Sequence, residues 1–356
     1  MGDGDENKEC AVKQLWTKRK TTTHRGRTLS PKDLERKLET RKKLCSLRKI
    51  LKENSSGCDI KWSLFVSACN SYFYEESVNP FPPEYVRRHT GKDIEALLRV
   101  IGDTPSFSLI LEQKGDRYIC PLKRSVIDLL HWLLVETSEP IIKLTDYDEA
   151  ESVIGFISSQ LAIPKPNLIF RVQYSQNSEE EKRWKLIAKR TQAVHLCYGN
   201  KLEYFYTVLH KGMKLVVNES RSTDSGVYLS NDICDAIGKS PTGFGWGGSA
   251  FGARLCCVAV CELADHDQFM CCIKYPENKV TKVPSQIIKH YNVHRPDLAR
   301  IRYLLIYRTN DNNEEDHDAQ SKKGMLNWMK NHKFATLMVC YSILLVSTAI
   351  TDLYFL

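Results

Sequence analysis

The stretch that decides the fold runs from residue 193 to residue 212 and reads AVHLCYGNKLEYFYTVLHKG. Its first six residues favour β-structure and predict a strand, and the residues from Leu202 to Leu209 predict a short helix that ends at Gly212. The strand signal recurs in four further segments, which are residues 168–174, 227–229, 254–263 and 300–307. The second half of the chain is therefore predicted to be rich in β-strands.

The sequence before this β-rich half has the pattern of α-helices. Apolar side chains cluster around Trp62 and Leu97 and in the run from Val126 to Leu134, and a Pro-rich break at residues 79–83 interrupts them. Helices with so many apolar residues bury a core, which predicts a helical domain of about 80 to 100 residues. The predicted fold class is α+β, with the helical domain first.

Positive charge is concentrated in the first 57 residues, which hold 16 Lys and Arg against 8 Asp and Glu. Because this excess equals the formal net charge of +8, the remaining chain is neutral, and we expect no nucleic acid on the folded core. Residues 1–57 are predicted to form a basic, partly disordered head with one helix that begins after Ser30. That helix is either solvated and loosely docked, which we favour, or lies against anionic lipid headgroups.

The thirteen cysteines show no C-x-x-C spacing. Two adjacent pairs, at residues 256–257 and 271–272, are unsuited to a shared tetrahedral metal. The pattern predicts reduced thiols in the cytosol and no metal site.

The last 23 residues, 334–356, form an apolar run that only Asp352 interrupts. A membrane-spanning helix needs roughly 20 such residues. Four lysines precede the run and no Lys or Arg follows it, so the positive-inside rule predicts residues 1–333 in the cytosol. We therefore expect a C-terminal transmembrane tail anchor in a lipid bilayer, joined to the folded part by an acidic and then basic tether at residues 311–333.

A family resemblance is carried by five motifs that follow one another in a fixed order and spacing. They are residues 198–205 (YGNKLEYF), 210–213 (HKGM), 226–232 (GVYLSND), 257–263 (CVAVCEL) and 302–307 (RYLLIY). In this order the chain resembles the catalytic domain of the poly(ADP-ribose) polymerase superfamily. Over residues 58–356 it is most similar to the tail-anchored mono-ADP-ribosyltransferase type of the endoplasmic reticulum.

The resemblance implies a domain organisation and an activity. Residues 58–145 would form a helical regulatory domain and residues 146–310 the ADP-ribosyltransferase catalytic domain. The family transfers ADP-ribose from NAD, its substrate, to protein side chains, and nicotinamide leaves. The expected partners are NAD, cytosolic protein acceptors and the chain itself, at the endoplasmic-reticulum membrane.

The resemblance also implies a site. Tyr198, Gly199 and Asn200 stand at the family's His-Gly-Ser motif, whose glycine pairs through its backbone with the nicotinamide amide. Tyr228 matches a tyrosine that packs on the ring, and Lys239 stands where another tyrosine stacks on nicotinamide. The candidate catalytic residues are Tyr198, Tyr228, His290 and Tyr291, and the candidate NAD-binding residues are Tyr198, Gly199, Asn200, Tyr228 and Lys239.

The departures from the family pattern leave two functions open. Neither His290 nor Tyr291 is the carboxylate of polymerising members, which favours transfer of a single unit. Because Tyr198 and Lys239 replace family residues, the alternative is a weak or silent transferase fold that serves as a tail-anchored binding scaffold. Glu262, which lies inside a predicted strand, is predicted to be a structural carboxylate satisfied by backbone N–H groups.

Overall fold

The computed structural model describes residues 30–88, 91–112, 122–157, 164–189, 193–213, 226–264, 269–274 and 288–309. Three predicted segments lie outside these ranges: most of the basic head, the tether at 311–333 and the tail anchor at 334–356. Within the described ranges, no helix combines the length and the apolar character needed to cross a membrane.

The helical half comes first, as predicted, and begins with a long helix. Ser30 caps it, because its Oγ accepts a hydrogen bond of 3.2 Å from the Asp33 N–H, and Pro31 occupies the first helical position. The helices of this half are α1 (Pro31–Glu53), α2 (Ser55–Cys69), α3 (Tyr74–Ser77), α4 (Ile94–Gly102), α5 (Phe107–Glu112) and α6 (Arg124–His131), which a π-helical turn extends over Trp132–Glu136. A two-stranded ribbon, β1 (Val86–Arg87) and β2 (Gly91–Lys92), lies between α3 and α4.

The second half is built on one antiparallel sheet of nine described strands. Its strands are β3 (Ile141–Leu144), β4 (Leu168–Gln173), β5 (Val194–Gly199), β6 (Val227–Ser230), β7 (Gly243–Phe244), β8 (Arg254–Leu263), β9 (Phe269–Lys274), β10 (Ile288–Val293) and β11 (Ala299–Arg308). The order across the sheet is β3-β4-β11-β8-β5-β6-β10-β9, and β7 pairs with β8. Among the described residues of this half, four helices accompany the strands: α7 (Tyr147–Ile157), α8 (Glu179–Ala188), α9 (Phe205–Lys211) and α10 (Ile233–Gly238).

The two halves share one hydrophobic core. Trp62 and Phe65 of α2 pack with Tyr206 of α9, and the same cluster includes side chains from one face of the sheet, such as Phe170. A smaller cluster on the opposite face joins Val153 of α7 with Ala236 of α10 and with the strands between them. The α+β prediction is therefore confirmed, with the helices on one face of the sheet forming a continuous interior with it.

Helix α1 is docked mainly through its C-terminal half, and Glu39 adds an ion pair of 3.8 Å with Arg124. Leu47 and Leu51 are fully buried, and Lys43 Nζ donates to Asp128 Oδ1 at 2.7 Å. The residues from Pro31 to Glu39 are all exposed. The core therefore begins before residue 58, where the sequence had predicted the helical domain to start.

Candidate functional site

Three neighbouring strands carry the motif residues that the sequence singled out. Strands β5, β6 and β10 are adjacent, with Cys197 opposite Ser230 and Ser230 opposite His290 in the antiparallel register. Side chains of successive strand residues point to opposite faces of a sheet. This register decides which of the predicted site residues meet.

One group of side chains forms a compact polar cluster next to α10, which we call the Tyr228 cluster: Tyr228, Asp235, Lys239 and His290. The Tyr228 hydroxyl and His290 Nδ1 are hydrogen-bonded, and the two rings lie 5.2 Å apart between centroids. Lys239 Nζ lies 3.0 Å from the centre of the Tyr228 ring, which is a cation–π contact. A buried imidazole, a phenol and an ammonium group thus share one surface of the sheet.

Asp235 completes this cluster, and the sequence analysis did not predict it. Its Oδ2 lies 3.0 Å from Lys239 Nζ and 3.5 Å from His290 Nδ1. Asp235 and Lys239 are one helical turn apart, so the i,i+4 spacing was a usable signal. The carboxylate that approaches His290 therefore comes from α10 and not from β10.

Gly199 lies against the last turn of α10. A Cβ atom at this position would come within 2.0 Å of the Ala236 carbonyl oxygen and 2.9 Å of Ser240 Oγ. Ser240 Oγ donates to that carbonyl at 3.0 Å and accepts from the Asn200 N–H at 3.1 Å. The close approach of two backbone segments therefore requires a glycine here, whether or not a ligand binds.

Tyr198 and Tyr291 belong to the other face of the sheet. Tyr198 is 3% exposed, packs edge-on against Phe205 at 5.9 Å, and its hydroxyl oxygen accepts a hydrogen bond of 2.7 Å from Asn200 Nδ2. Both tyrosines are part of the large core shared with the helical half, whereas Cys197 and Ala236 belong to the smaller cluster. The structure thus brings Gly199, Tyr228, Lys239 and His290 to one face, and Tyr198, the Asn200 side chain and Tyr291 to the other.

Glu262 of β8 is held by side chains. Arg302 Nε donates to its Oε2 at 2.7 Å, and His195 Nε2 lies 3.6 Å from its Oε1. Burial raises the pKa of Glu262, but the nearby His195 ring and the hydrogen bond from Arg302 outweigh that effect and leave its pKa below the ordinary value. The prediction of a structural carboxylate gains support, but its expected partners were wrong, since they are side chains and not backbone N–H groups.

The glycine-rich loop between β7 and β8 is anchored to the helical half. Asp59 of α2 is buried and accepts hydrogen bonds from the Ser249 hydroxyl and, at 2.9 Å, from the Ala250 N–H. Trp246 packs edge-on against Trp62, with ring centroids 6.2 Å apart, and at a tilt of 44° against Phe107, with ring centroids 4.8 Å apart. The loop is therefore a contact between the two halves. Among the described side chains, no three His, Cys, Asp or Glu residues are grouped so that they could hold a metal ion.

Comparisons with known proteins agree with this architecture. Residues 49–134 match the family model described as the ARTD15 N-terminal domain. The chain is 28% identical over 306 residues to "Protein mono-ADP-ribosyltransferase PARP16" of Mus musculus, which covers 83% of this chain and 90% of that protein. It is 27% identical over 309 residues to the Homo sapiens protein of the same name, with the same coverage. The resemblance to the poly(ADP-ribose) polymerase superfamily that the motifs predicted is thereby confirmed.

Proposed function

We propose that this chain transfers a single ADP-ribose unit from NAD to protein side chains and releases nicotinamide. The similarity to mono-ADP-ribosyltransferases over 83% of the chain supports a transferase in general. The observation that carries the specific proposal is the Tyr228 cluster, where Tyr228, His290 and Lys239 meet at positions that correspond to the family's site.

The residues of the cluster suit the requirements of this reaction. In glycosyl transfer the bond to the leaving nicotinamide breaks while the ribose becomes oxocarbenium-like. The site must therefore hold the nicotinamide ring and balance the charges of the ribose and the pyrophosphate. In the resemblance, Tyr228 stands at the position of a tyrosine that packs on the nicotinamide ring. The exposed Lys239, whose Nζ lies over one face of the Tyr228 ring, offers a positive charge for the pyrophosphate of NAD. His290 and Tyr291 are the two candidates for the β10 position at which polymerising relatives carry a carboxylate, and since neither is a carboxylate, the sequence supports transfer of one unit.

The second candidate is a silent transferase fold that acts as a binding scaffold. It is favoured by Tyr198, which is buried in the large core and packs against Phe205 on the face opposite the Tyr228 cluster. The resemblance implies that the histidine of the family's His-Gly-Ser motif binds a ribose hydroxyl. Position 198 therefore supplies no replacement for that imidazole within the Tyr228 cluster. Binding of NAD or of a partner protein could persist without transfer.

The proposal includes a membrane location. The apolar run at residues 334–356 and the lysines before it support a tail anchor, with residues 1–333 in the cytosol. The resemblance to the tail-anchored type supports the endoplasmic reticulum. The acceptors would then be cytosolic proteins near that membrane, and the chain itself.

Labelled NAD separates the two candidates. The purified full chain in detergent is incubated with NAD labelled in its adenylate half, and incorporation into protein is measured for the native chain, Tyr228→Phe and the control Tyr147→Phe. We expect the native chain and the control to label, and Tyr228→Phe to label about 10-fold or more slowly, because it loses the hydrogen bond to His290. Tyr147 is exposed and remote in sequence from the cluster.

The other outcomes identify the alternative. A native chain that does not label but is thermally stabilised by a non-hydrolysable NAD analogue is a scaffold that binds nucleotide. A chain that neither labels nor responds to the analogue refutes both the transfer reaction and the NAD site.

A further inference from the structure

The exposed side of α1 carries a regular pattern of side chains. Six residues recur at spacings of four, four, three, four and three, which keeps them on one face of an α-helix: Leu34, Leu38, Lys42, Cys45, Lys49 and Lys52. We call this set the outer stripe. All six side chains are exposed, and Leu34 and Leu38 are 45% and 54% exposed. The stripe contains three lysines and no carboxylate.

The opposite side of the same helix is what holds it to the protein. Leu47 and Leu51 are fully buried, and Lys43 binds Asp128. Arg48, at the edge between the two sides, donates from Nε to the Ile110 carbonyl oxygen at 3.3 Å. The outer stripe therefore points away from the core along a length of about 27 Å. Docking of α1 to the fold does not use these six side chains.

The composition of the stripe fits an anionic lipid surface better than a polyanion. Lysine ammonium groups attract phosphate and carboxylate headgroups, while leucines on the same face can enter the boundary between headgroups and acyl chains. A nucleic-acid backbone would use the lysines but not the two exposed leucines. The sequence alone favoured a solvated, loosely docked helix over one that lies against lipid headgroups. Because the structure separates a docked side from an exposed side with leucines and lysines, we now favour the lipid contact.

The segment between the fold and the apolar run limits how far α1 can be from the membrane. Residues 310–333 connect Thr309 to the apolar run, and 24 extended residues span at most about 80 Å. This step rests on the proposed tail anchor, which would hold α1 at a high effective concentration near the bilayer. We propose that the outer stripe of α1 is a docking surface for the anionic phospholipids of the membrane that holds the tail.

Lysine footprinting of the full chain tests the docking surface. The chain is reconstituted into phosphatidylcholine vesicles with or without phosphatidylserine, and modification of each lysine by an amine-reactive reagent is followed by mass spectrometry. We expect Lys42 and Lys49 to react roughly threefold or more slowly with phosphatidylserine present, and to recover at high salt. Lys201, an exposed lysine of the sheet half, serves as the internal control.

A matched pair of variants isolates the leucines. Leu34→Gln with Leu38→Gln removes the apolar part of the stripe without touching the core, whereas Leu186→Gln removes an exposed leucine of α8. Protection of Lys42 and Lys49 should be lost in the first variant and retained in the second. Equal protection in both variants, or equal protection by soluble polyglutamate, would overturn a lipid surface in favour of general anion binding.

Alkaline carbonate extraction keeps this proposal separate from the anchor. A chain that resists carbonate but shows no lipid-dependent protection refutes the docking surface and leaves the anchor standing. A chain that carbonate removes, yet whose stripe lysines are protected by phosphatidylserine at neutral pH, refutes the anchor and supports the surface.

Discussion

Gly199 lies at a position where the fold tolerates no side chain. The carbonyl oxygen of Ala236 would be 2.0 Å from a Cβ at this residue, well inside any normal contact distance. A backbone carbonyl cannot rotate away as a flexible side chain can, so a substitution must separate β5 from α10. The glycine that the family motif requires for nicotinamide therefore also has a structural role here.

The first prediction concerns this contact. Gly199→Ala should lower the free energy of unfolding by about 1–3 kcal/mol through overpacking. Gly238→Ala, at the end of α10, is the matched control, since nothing lies within 4 Å of its Cβ position. Unfolding by denaturant in detergent measures both. Equal stability of the two variants would contradict the close approach of α10 to Gly199. If Gly199→Ala also loses ADP-ribose labelling, its stability shows whether the loss comes from unfolding or from the site.

Lys61 is a second residue whose surroundings dominate its chemistry. It is 6% exposed on α2, and its Nζ donates to the carbonyl oxygens of Thr137 at 2.6 Å and Ser138 at 3.0 Å, where the helical half passes into β3. Burial lowers the pKa of Lys61 from 10.5 to about 7. The ammonium group is therefore costly to bury even though it is hydrogen-bonded.

The second prediction follows from the sign of this shift. Between the folded pKa of about 7 and the unfolded value of 10.5, the unfolded chain holds a proton that the folded chain has released. The contribution of Lys61 to stability should therefore rise with pH across this window, by at most about 1.4 kcal/mol per pH unit. Lys61→Met should remove the rise, and Lys201→Met should keep it. Parallel pH profiles of unfolding for the native chain and Lys61→Met would show that Lys61 titrates normally.

At the scale of single residues, the sequence named candidate site residues but did not predict which of them contact one another. Tyr228, Lys239 and His290 were all named, because family motifs fix positions along the chain. Their separation from Tyr198 and Tyr291 was not predicted, although the alternation of side chains across β5 and β10 was available. Asp235 was missed although its i,i+4 spacing to Lys239 was a usable signal, because its approach to His290 depends on how closely α10 lies to β10.

At the scale of elements, β8 and β11 were predicted within a residue or two, because long runs of apolar and β-branched residues have few other structures open to them. The glycine-rich loop between β7 and β8 shows a feature that local sequence patterns did not predict. The glycines at residues 243, 245, 247 and 248 gave no sign that Trp246 would pack against both Trp62 and Phe107. Contacts between elements far apart in sequence depend on complementary shape, which no local pattern records.

The third prediction tests this loop as the link between the two halves. Trp246→Ala should lower the free energy of unfolding by about 3–5 kcal/mol, because it empties a buried aromatic cluster. Phe244→Ala, two residues earlier and 64% exposed, should change it by no more than about 0.5 kcal/mol. Denaturation curves of the two variants give the comparison. A small effect of Trp246→Ala would mean that the loop contributes little to joining the halves.

At the scale of the whole molecule, the shared core makes the helical half inseparable from the sheet. Trp62 and Phe65 belong to the same cluster as Phe170 and Tyr206, and α1 contributes Leu47 and Leu51 to it. A fragment that begins at residue 58 would lose both leucines and expose the surface they cover. The core therefore includes residues that precede residue 58, and the activity and membrane experiments call for the full chain.

The last prediction concerns residues 334–356, which we propose to be a membrane anchor. Deleting residues 334–356 should move the protein from the alkaline-carbonate pellet to the supernatant with an unchanged unfolding midpoint, because the tether separates the anchor from the fold. Leu345→Arg, near the middle of the apolar run, should weaken insertion by roughly 2.5–3.5 kcal/mol.

A matched control places the same charge elsewhere in the tail. Thr351→Arg should be tolerated, because a long cationic side chain near the end of the run can reach the interface. Retention of the truncated chain after carbonate would contradict the anchor. The truncated chain could be released by carbonate and still bind phosphatidylserine vesicles at neutral pH. The remaining contact would then belong to the outer stripe. Loss of this binding when Leu34→Gln and Leu38→Gln are added to the truncated chain would show that the stripe and the tail are two separate membrane contacts.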